Sequence, residues 1–272
     1  MFSQLHLHCH IGSRLDAIGS PEDYAQRASD FNHPYLALTD HGRISGIYEH
    51  QIQCLKFGVK PIIGVEIYVV GELEVFNKVK KRERTKTNHL ILLVKNKKGY
   101  SSLLKLNYAS MKDTSHFYYS PRIIMKELIE NKEGLIIGTG CMANPISRLL
   151  LAEKENKAEE LYIKMLDTFK DDFYTEIQLN ELEEQKIINE FMIRLANKHG
   201  VPLVMTGDVH YLEKGQDKLQ TLAIAIRDKT TIDNIQFELE SKNLYYHDIP
   251  DYIEFNKKFN FNYKEEDILS WC

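Results

Sequence analysis

Strand-like and helix-like runs alternate along this chain, and that rhythm restricts its fold more than any other feature. The strand-like runs are Gln4–His8, Pro34–Thr39, Lys60–Val70, His89–Val94, Gly134–Cys141, Phe173–Leu179 and Val201–Asp208. The third is apolar almost throughout, as expected of a strand covered on both faces. Helix punctuation separates them. Ser20-Pro21-Glu22-Asp23 supplies an N-cap, a proline at the first helical position and acids at the positive helix end. Gly58 and Gly200 are placed to end helices. Ser120-Pro121 repeats the cap-plus-proline signal and predicts a helix from there to about Asn131. With no repeat or linker, the expectation is one α/β domain over residues 1–272. No glycine-rich phosphate loop follows a strand, so a barrel is favoured over an open nucleotide-binding sheet. The barrel is expected to end near residue 215. Residues 216–272, a helix and an aromatic tail, would pack on it.

Residues able to bind a metal recur at the strand ends. His6 and His8 alternate with leucines and so share one face of the first strand. The second strand runs into Asp40-His41-Gly42, and the third carries Glu66, which is costly to bury without a cation. The fifth ends at Cys141, and the seventh at Asp208-Val209-His210. His89 stands at the start of the fourth. Taken singly, each has an ordinary account: a turn, a core thiol, a satisfied imidazole. Together they read as one cluster at the mouth of a barrel, where strand ends converge.

Composition sets the remaining bounds. A net charge of −4 does not mark a general nucleic-acid binder. One local exception is the segment with Lys78, Lys80, Lys81, Arg82, Arg84 and Lys86, which reads either as a solvated loop or as a DNA-contacting arm. The four cysteines have no spacing pattern, which suits a reducing cytoplasm. No apolar run approaches a membrane span, and no signal peptide is visible at the N-terminus.

The stretches Leu5-His6-Leu7-His8, Leu38-Thr39-Asp40-His41-Gly42, Ile63-Gly64-Val65-Glu66, Gly140-Cys141-Met142 and Asp208-Val209-His210-Tyr211 resemble the motifs of the PHP (polymerase and histidinol phosphatase) family. The resemblance is closest to the N-terminal PHP domains of bacterial DNA polymerase III alpha subunits. It extends to Lys60-Pro61-Ile62-Ile63-Gly64 and to Asn96-Lys97-Lys98-Gly99-Tyr100 with Leu103, and covers the chain to about Asp251.

That resemblance implies a distorted seven-stranded (β/α)7 TIM-like barrel holding three divalent metal ions, Zn2+ or Mn2+, at the C-terminal strand ends. It implies one ion on His6, His8, Glu66 and Asp208. A second would sit on Glu66, His89 and Cys141, and a third on Asp16, His41 and His210, with His10 the alternative to Asp16. The implied activity is metal-dependent phosphoester hydrolysis, foremost 3′→5′ exonuclease action on DNA, with His6, His8, Glu66, Asp208 and His210 as the catalytic set. No polymerase palm carboxylates are present, so polymerisation is not expected from this chain, and a separate polymerase chain is a candidate partner. Two other readings stay open. One is a small-molecule phosphatase with an anion clamp from Arg14, Arg43 or Arg122. The other is a non-catalytic, metal-stabilised module that docks through Tyr245, Tyr246, Tyr252, Phe255, Phe259, Phe261 and Tyr263.

Overall fold

The computed structural model describes residues 2–71, 87–234 and 241–272. In chain order the elements are α1 (Pro21–Asp30), β1 (Tyr35–Leu38), α2 (Ile47–Lys56), β2 (Lys60–Val70), β3 (Asn88–Val94), α3 (Lys97–Ala109), β4 (Phe117–Tyr118), β5 (Ser120–Pro121), β6 (Ile123–Ile124), α4 (Met125–Glu130), β7 (Leu135–Gly138), α5 (Pro145–Leu151), α6 (Glu155–Phe169), β8 (Phe173–Gln178), α7 (Glu183–His199), β9 (Leu203–Thr206), α8 (Asp217–Asp228), α9 (Ile249–Lys258) and α10 (Glu265–Trp271). Local signals set several boundaries. Ser20 Oγ accepts the Asp23 N–H at 3.0 Å to open α1. Asn96 caps α3 by accepting the N–H groups of Lys98 and Gly99. Gly200, at φ 66°, ends α7 in the left-handed region.

Seven strands form one curved sheet in the order β1-β2-β3-β7-β8-β9, with β6 beside the end of β2, and β4 and β5 pair separately. This is an open, distorted half-barrel, and the Gln4–His8 segment spans its opening. On one side Gln4 and Leu7 carbonyls accept the N–H groups of Ala37 and Thr39 (2.9 and 2.8 Å). On the other, His8 N–H donates to the Val209 carbonyl at 2.8 Å, and Val209 N–H donates to His6. The Gln4–His8 stretch and the six strands of the main path thus make the distorted TIM-like barrel.

Strand periodicity divides the side chains between two environments. Val65, Ile67 and Val69 of β2, with Leu90 and Leu92 of β3, join a large apolar cluster with residues of α3, α4, α6 and α7. On the other face, Ala37, Ile91, Leu93 and Tyr174 form a small cluster with Ile62, Ile136 and Val204 inside the barrel. Glu66, Tyr68 and His89 continue that inner face upward. The barrel is therefore plugged with apolar side chains and polar only at one mouth.

Two sequence expectations need correction. β3 is antiparallel to both β2 and β7, so the units are not uniformly β-then-α. The residue that begins β3 therefore reaches the same mouth as residues that follow the parallel strands, and His89 pairs with Tyr68 there. Ser120-Pro121 does not start a helix. It forms β5 of a tight hairpin with β4, and α4 begins at Met125, where the Glu127 carboxylate accepts the Ile124 N–H at 3.1 Å. Proline suits that strand because it needs no donor there.

In the tail, Tyr245, Tyr246, Tyr252, Phe255 and Phe261 are buried. Tyr252 meets the Phe2 ring edge-on, 5.2 Å between centroids, and takes a hydrogen bond from Gln4. Among the described residues no helix is long and apolar enough to cross a membrane.

Candidate metal centre

Eight residues that the sequence places at strand ends, and Asp16 from the first loop, meet at the mouth. His6 and His8 arrive on the Gln4–His8 segment with their Nε2 atoms 3.0 Å apart, and Asp208 Oδ1 lies 3.2 and 3.1 Å from them. Asp208 reaches that position from a left-handed backbone, φ 47°, which is sparsely populated by residues other than glycine. Glu66 Oε1 is 3.0 Å from His89 Nδ1 and 3.3 Å from Cys141 Sγ. It is 3.8 Å from His6 Nε2, which joins this group to the first. The other Glu66 oxygen contacts His41 Nδ1. His41 Nε2 is 2.9 Å from Asp16 Oδ2 and 3.3 Å from His210 Nε2. Three groups can each hold a cation: His6, His8 and Asp208; Glu66, His89 and Cys141; and His8, His41 and His210. His10 stays apart, its ring donating to the Gly19 carbonyl at 3.1 Å, and it is exposed. The basic residues Lys78, Lys80, Lys81, Arg82, Arg84 and Lys86 lie outside the described residues.

Several imidazoles have one nitrogen committed away from the cluster. His6 Nδ1 is held by Glu176 Oε1 at 2.6 Å. His8 Nδ1 is 3.3 Å from Ser13 Oγ, which donates to Asp40 at 2.8 Å. His210 Nδ1 donates to the Asp208 carbonyl at 2.8 Å. This pattern fixes the tautomers and turns the Nε2 lone pairs inward. Lone pairs of two neutral imidazoles cannot sit 3.0 Å apart without positive charge between them.

The protonation balance shows the same demand. Burial alone would lower the pKa of His6, but the Asp208 and Glu176 charges outweigh it and raise it to about 10. Burial pushes His8 well down, helped by His41 and His210, so it stays neutral. Burial would raise Glu66, yet His89 and His41 hold it well below the usual carboxylate range. Burial and the Glu66 charge push the Cys141 thiol up. From protein groups alone the cluster thus retains a proton on His6. A divalent ion supplies more positive charge to the same nitrogen, oxygen and sulfur donors, whose mixture suits zinc or manganese. The residues present fit such ions.

The supporting residues were not legible in the sequence. Glu176, buried within β8, also accepts from Thr206 (2.5 Å) and Gln178 (3.1 Å). Asp40 accepts from Ser13 and from the Cys9 N–H at 2.7 Å. Gly12 passes so close to Asp40 that an added Cβ would fall 2.3 Å from Oδ2. The one available signal was a carboxylate in the middle of a strand-like run, at Glu176.

A cleft of about 240 Å³ opens above this centre. Asp16, His41 and Tyr68 line it, with Arg14, Arg43, Arg227, Tyr119 and Pro121. Arg227 of α8 ion-pairs with Asp16 Oδ1 at 2.8 Å. Arg122 is buried and does not line the cleft.

Comparison with known proteins agrees with this geometry. The PHP domain model matches residues 6–180. A DNA polymerase III subunit alpha of Thermus aquaticus is 36% identical over 235 residues, covering 86% of this chain and 19% of that protein. That of Chlamydia pneumoniae is 34% identical over 248 residues, covering 83% and 20%. The chain therefore spans about a fifth of the length of these curated relatives. A Bifidobacterium adolescentis crystal structure, assigned by inference as a metal-dependent phosphoesterase, shares the fold at a TM-score of 0.50 and 14% identity, over 76% of this chain and 87% of that one. The matched span runs through the motifs from His6 to Cys141, and Asp208 and His210 complete the cluster from beyond it. With family match, fold and donor cluster in agreement, the chain belongs to the PHP domain family.

Proposed function

We propose that the chain is a metal-dependent phosphoesterase that hydrolyses single-stranded DNA from the 3′ end, in the cytoplasm, alone or beside a polymerase chain. The observation that carries this reading is the inward-facing donor cluster beneath an arginine-lined cleft. Divalent ions held by His6, His8, Asp16, His41, Glu66, His89, Cys141, Asp208 and His210 would supply Lewis acidity to activate water and polarise a phosphoryl oxygen.

The chain's own residues do the rest. Glu176 and the Ser13–Asp40 pair hold His6 and His8 in their donor tautomers. Arg14 and Arg43 present guanidinium groups to phosphate oxygens, with geometry suited to anions. Arg227 fixes the Asp16 carboxylate. The apolar plug of the barrel excludes water from below. A DNA end is favoured over a small metabolite because the curated relatives are DNA polymerase III alpha subunits and the cleft opens to solvent. It can take a phosphate and leave the remainder of the chain outside.

The test is hydrolysis of end-labelled single-stranded DNA, beside histidinol phosphate, with Mn2+ or Zn2+. We expect products shortened from the 3′ end, with kcat/KM lowered about 100- to 1,000-fold in Asp208→Ala, a loss of the order that oxyanion-type electrostatic stabilisation commands. Phosphate release from histidinol phosphate alone would replace the nuclease with a phosphatase. Absence of turnover on every substrate would leave a metal-stabilised module.

A further inference from the structure

We infer that Tyr119 is a stacking platform for the base of the terminal nucleotide, so that the substrate is a strand end with its base intact. This rests on the nuclease reading above and specifies which part of the substrate the cleft recognises.

Tyr119 is the single residue between β4 and β5, at φ 63°. That left-handed conformation is disfavoured for an aromatic side chain and is normally given to glycine or asparagine. The ring is 73% exposed. It lines the cleft that also contains Asp16 and His41. An exposed aromatic held in a strained turn at the rim of a metal centre is the kind of outlier from which function is inferred.

The hairpin beneath it is pinned. Arg122 N–H donates to the His116 carbonyl at 2.9 Å, and the His116 ring is held between Asp113 and Glu127 at 2.9 and 3.0 Å. Pro121 abuts Gly42, where an added Cβ would come within 2.6 Å of Pro121 Cγ. Gly42 directly follows His41, so the platform is fixed relative to the donor cluster. Arg43, the next residue, lies over the Phe117 ring at 5.8 Å. A phosphate among Arg14, Arg43 and the donors would leave its nucleoside beside Tyr119. Aromatic stacking accepts any base and suits single strands.

The experiment uses short single-stranded DNA whose 3′-terminal residue carries either thymine or no base, with bis(p-nitrophenyl) phosphate as a baseless diester. In Tyr119→Ala we expect KM for the base-bearing end to rise roughly 5- to 150-fold, the range of one base–aromatic stack. The abasic end and the small diester should be unchanged, and Tyr119→Phe should retain the parent behaviour. Tyr119→Gly removes the ring while relieving the turn, so it should lose the same discrimination without losing thermal stability, which excludes misfolding as the cause. Equal losses on both ends, or none, would overturn the inference. Binding of the two DNAs in Ca2+, read by fluorescence anisotropy, decides the matter separately from turnover. If the parent hydrolyses nothing yet prefers the base-bearing end through Tyr119, the nuclease reading fails and the platform stands. If the parent shows no preference, the platform fails.

Discussion

The mouth of the barrel and the tail packed near its N-terminus both bury histidines, and they treat them in opposite ways. In the tail region each buried ring finds an ordinary partner. His33 lies 3.0 Å from both the Tyr246 hydroxyl and Asp248, and His247 donates to the Asn243 carbonyl at 2.8 Å. On α2, His50 donates to the Leu36 carbonyl at 3.0 Å. At the mouth, imidazole nitrogens instead face one another, His6 against His8 and His41 against His210, at 3.0 and 3.3 Å. The first arrangement asks for no added charge, although His247 Nδ1 is buried without a hydrogen-bond partner. The second needs positive charge at the contacts, either a proton kept on His6 or a divalent ion in its place. A count of eleven histidines cannot separate the two classes; the direction of the second nitrogen can.

If the two regions are distinct, damage to one should spare the other. The largest effect is expected from Phe255→Ala, which removes a fully buried ring from the tail. Chemical denaturation should show a loss of about 3–5 kcal/mol, while metal bound per folded molecule stays unchanged. Loss of metal at equal folded fraction would show that the tail shapes the mouth.

The next effect is a pH dependence that belongs to satisfied rings. Burial pushes the pKa of His50 down to about 4, and that of His247 likewise. Above about pH 6.5, the ordinary histidine value, each is neutral folded or unfolded. Between 6.5 and 4 the unfolded chain takes up a proton that the folded chain refuses, so stability falls as pH falls. Each ring accounts for about 3 kcal/mol across that window. His50→Gln, which keeps a donor for Leu36, should flatten the slope measured by denaturant titration at successive pH values. An unchanged slope would refute the burial account of His50.

The smallest effect sharpens the mouth itself. Glu176→Gln keeps the shape but weakens the hold on His6 Nδ1. Zinc affinity should fall roughly 10- to 100-fold, as for other partners of metal-bound histidine. The metal-free protein should melt at nearly the parent temperature. Unchanged affinity would make Glu176 a packing residue only.

The distance between sequence and structure follows from the same physics. His6 and His8 are legible because a strand's two-residue period puts both on one face. Asp40-His41-Gly42 and Asp208-Val209-His210 are legible as polar breaks after apolar runs. The antiparallel course of β3 is not, because a strand's residues do not encode the direction of its neighbours. His89 therefore looked misplaced until its partner Tyr68 was known. Ser120-Pro121 satisfied a helix-start pattern and was claimed by sheet pairing instead. Asp40 and Glu176 act through contacts across 27 and 170 positions, and no local pattern reports those.

The most direct measurement is an anomalous difference map from crystals grown with Mn2+ or Zn2+. The account predicts three peaks: one at His6, His8 and Asp208, one at Glu66, His89 and Cys141, and one at Asp16, His41 and His210. A map with no peak at the mouth, at saturating metal, would contradict it.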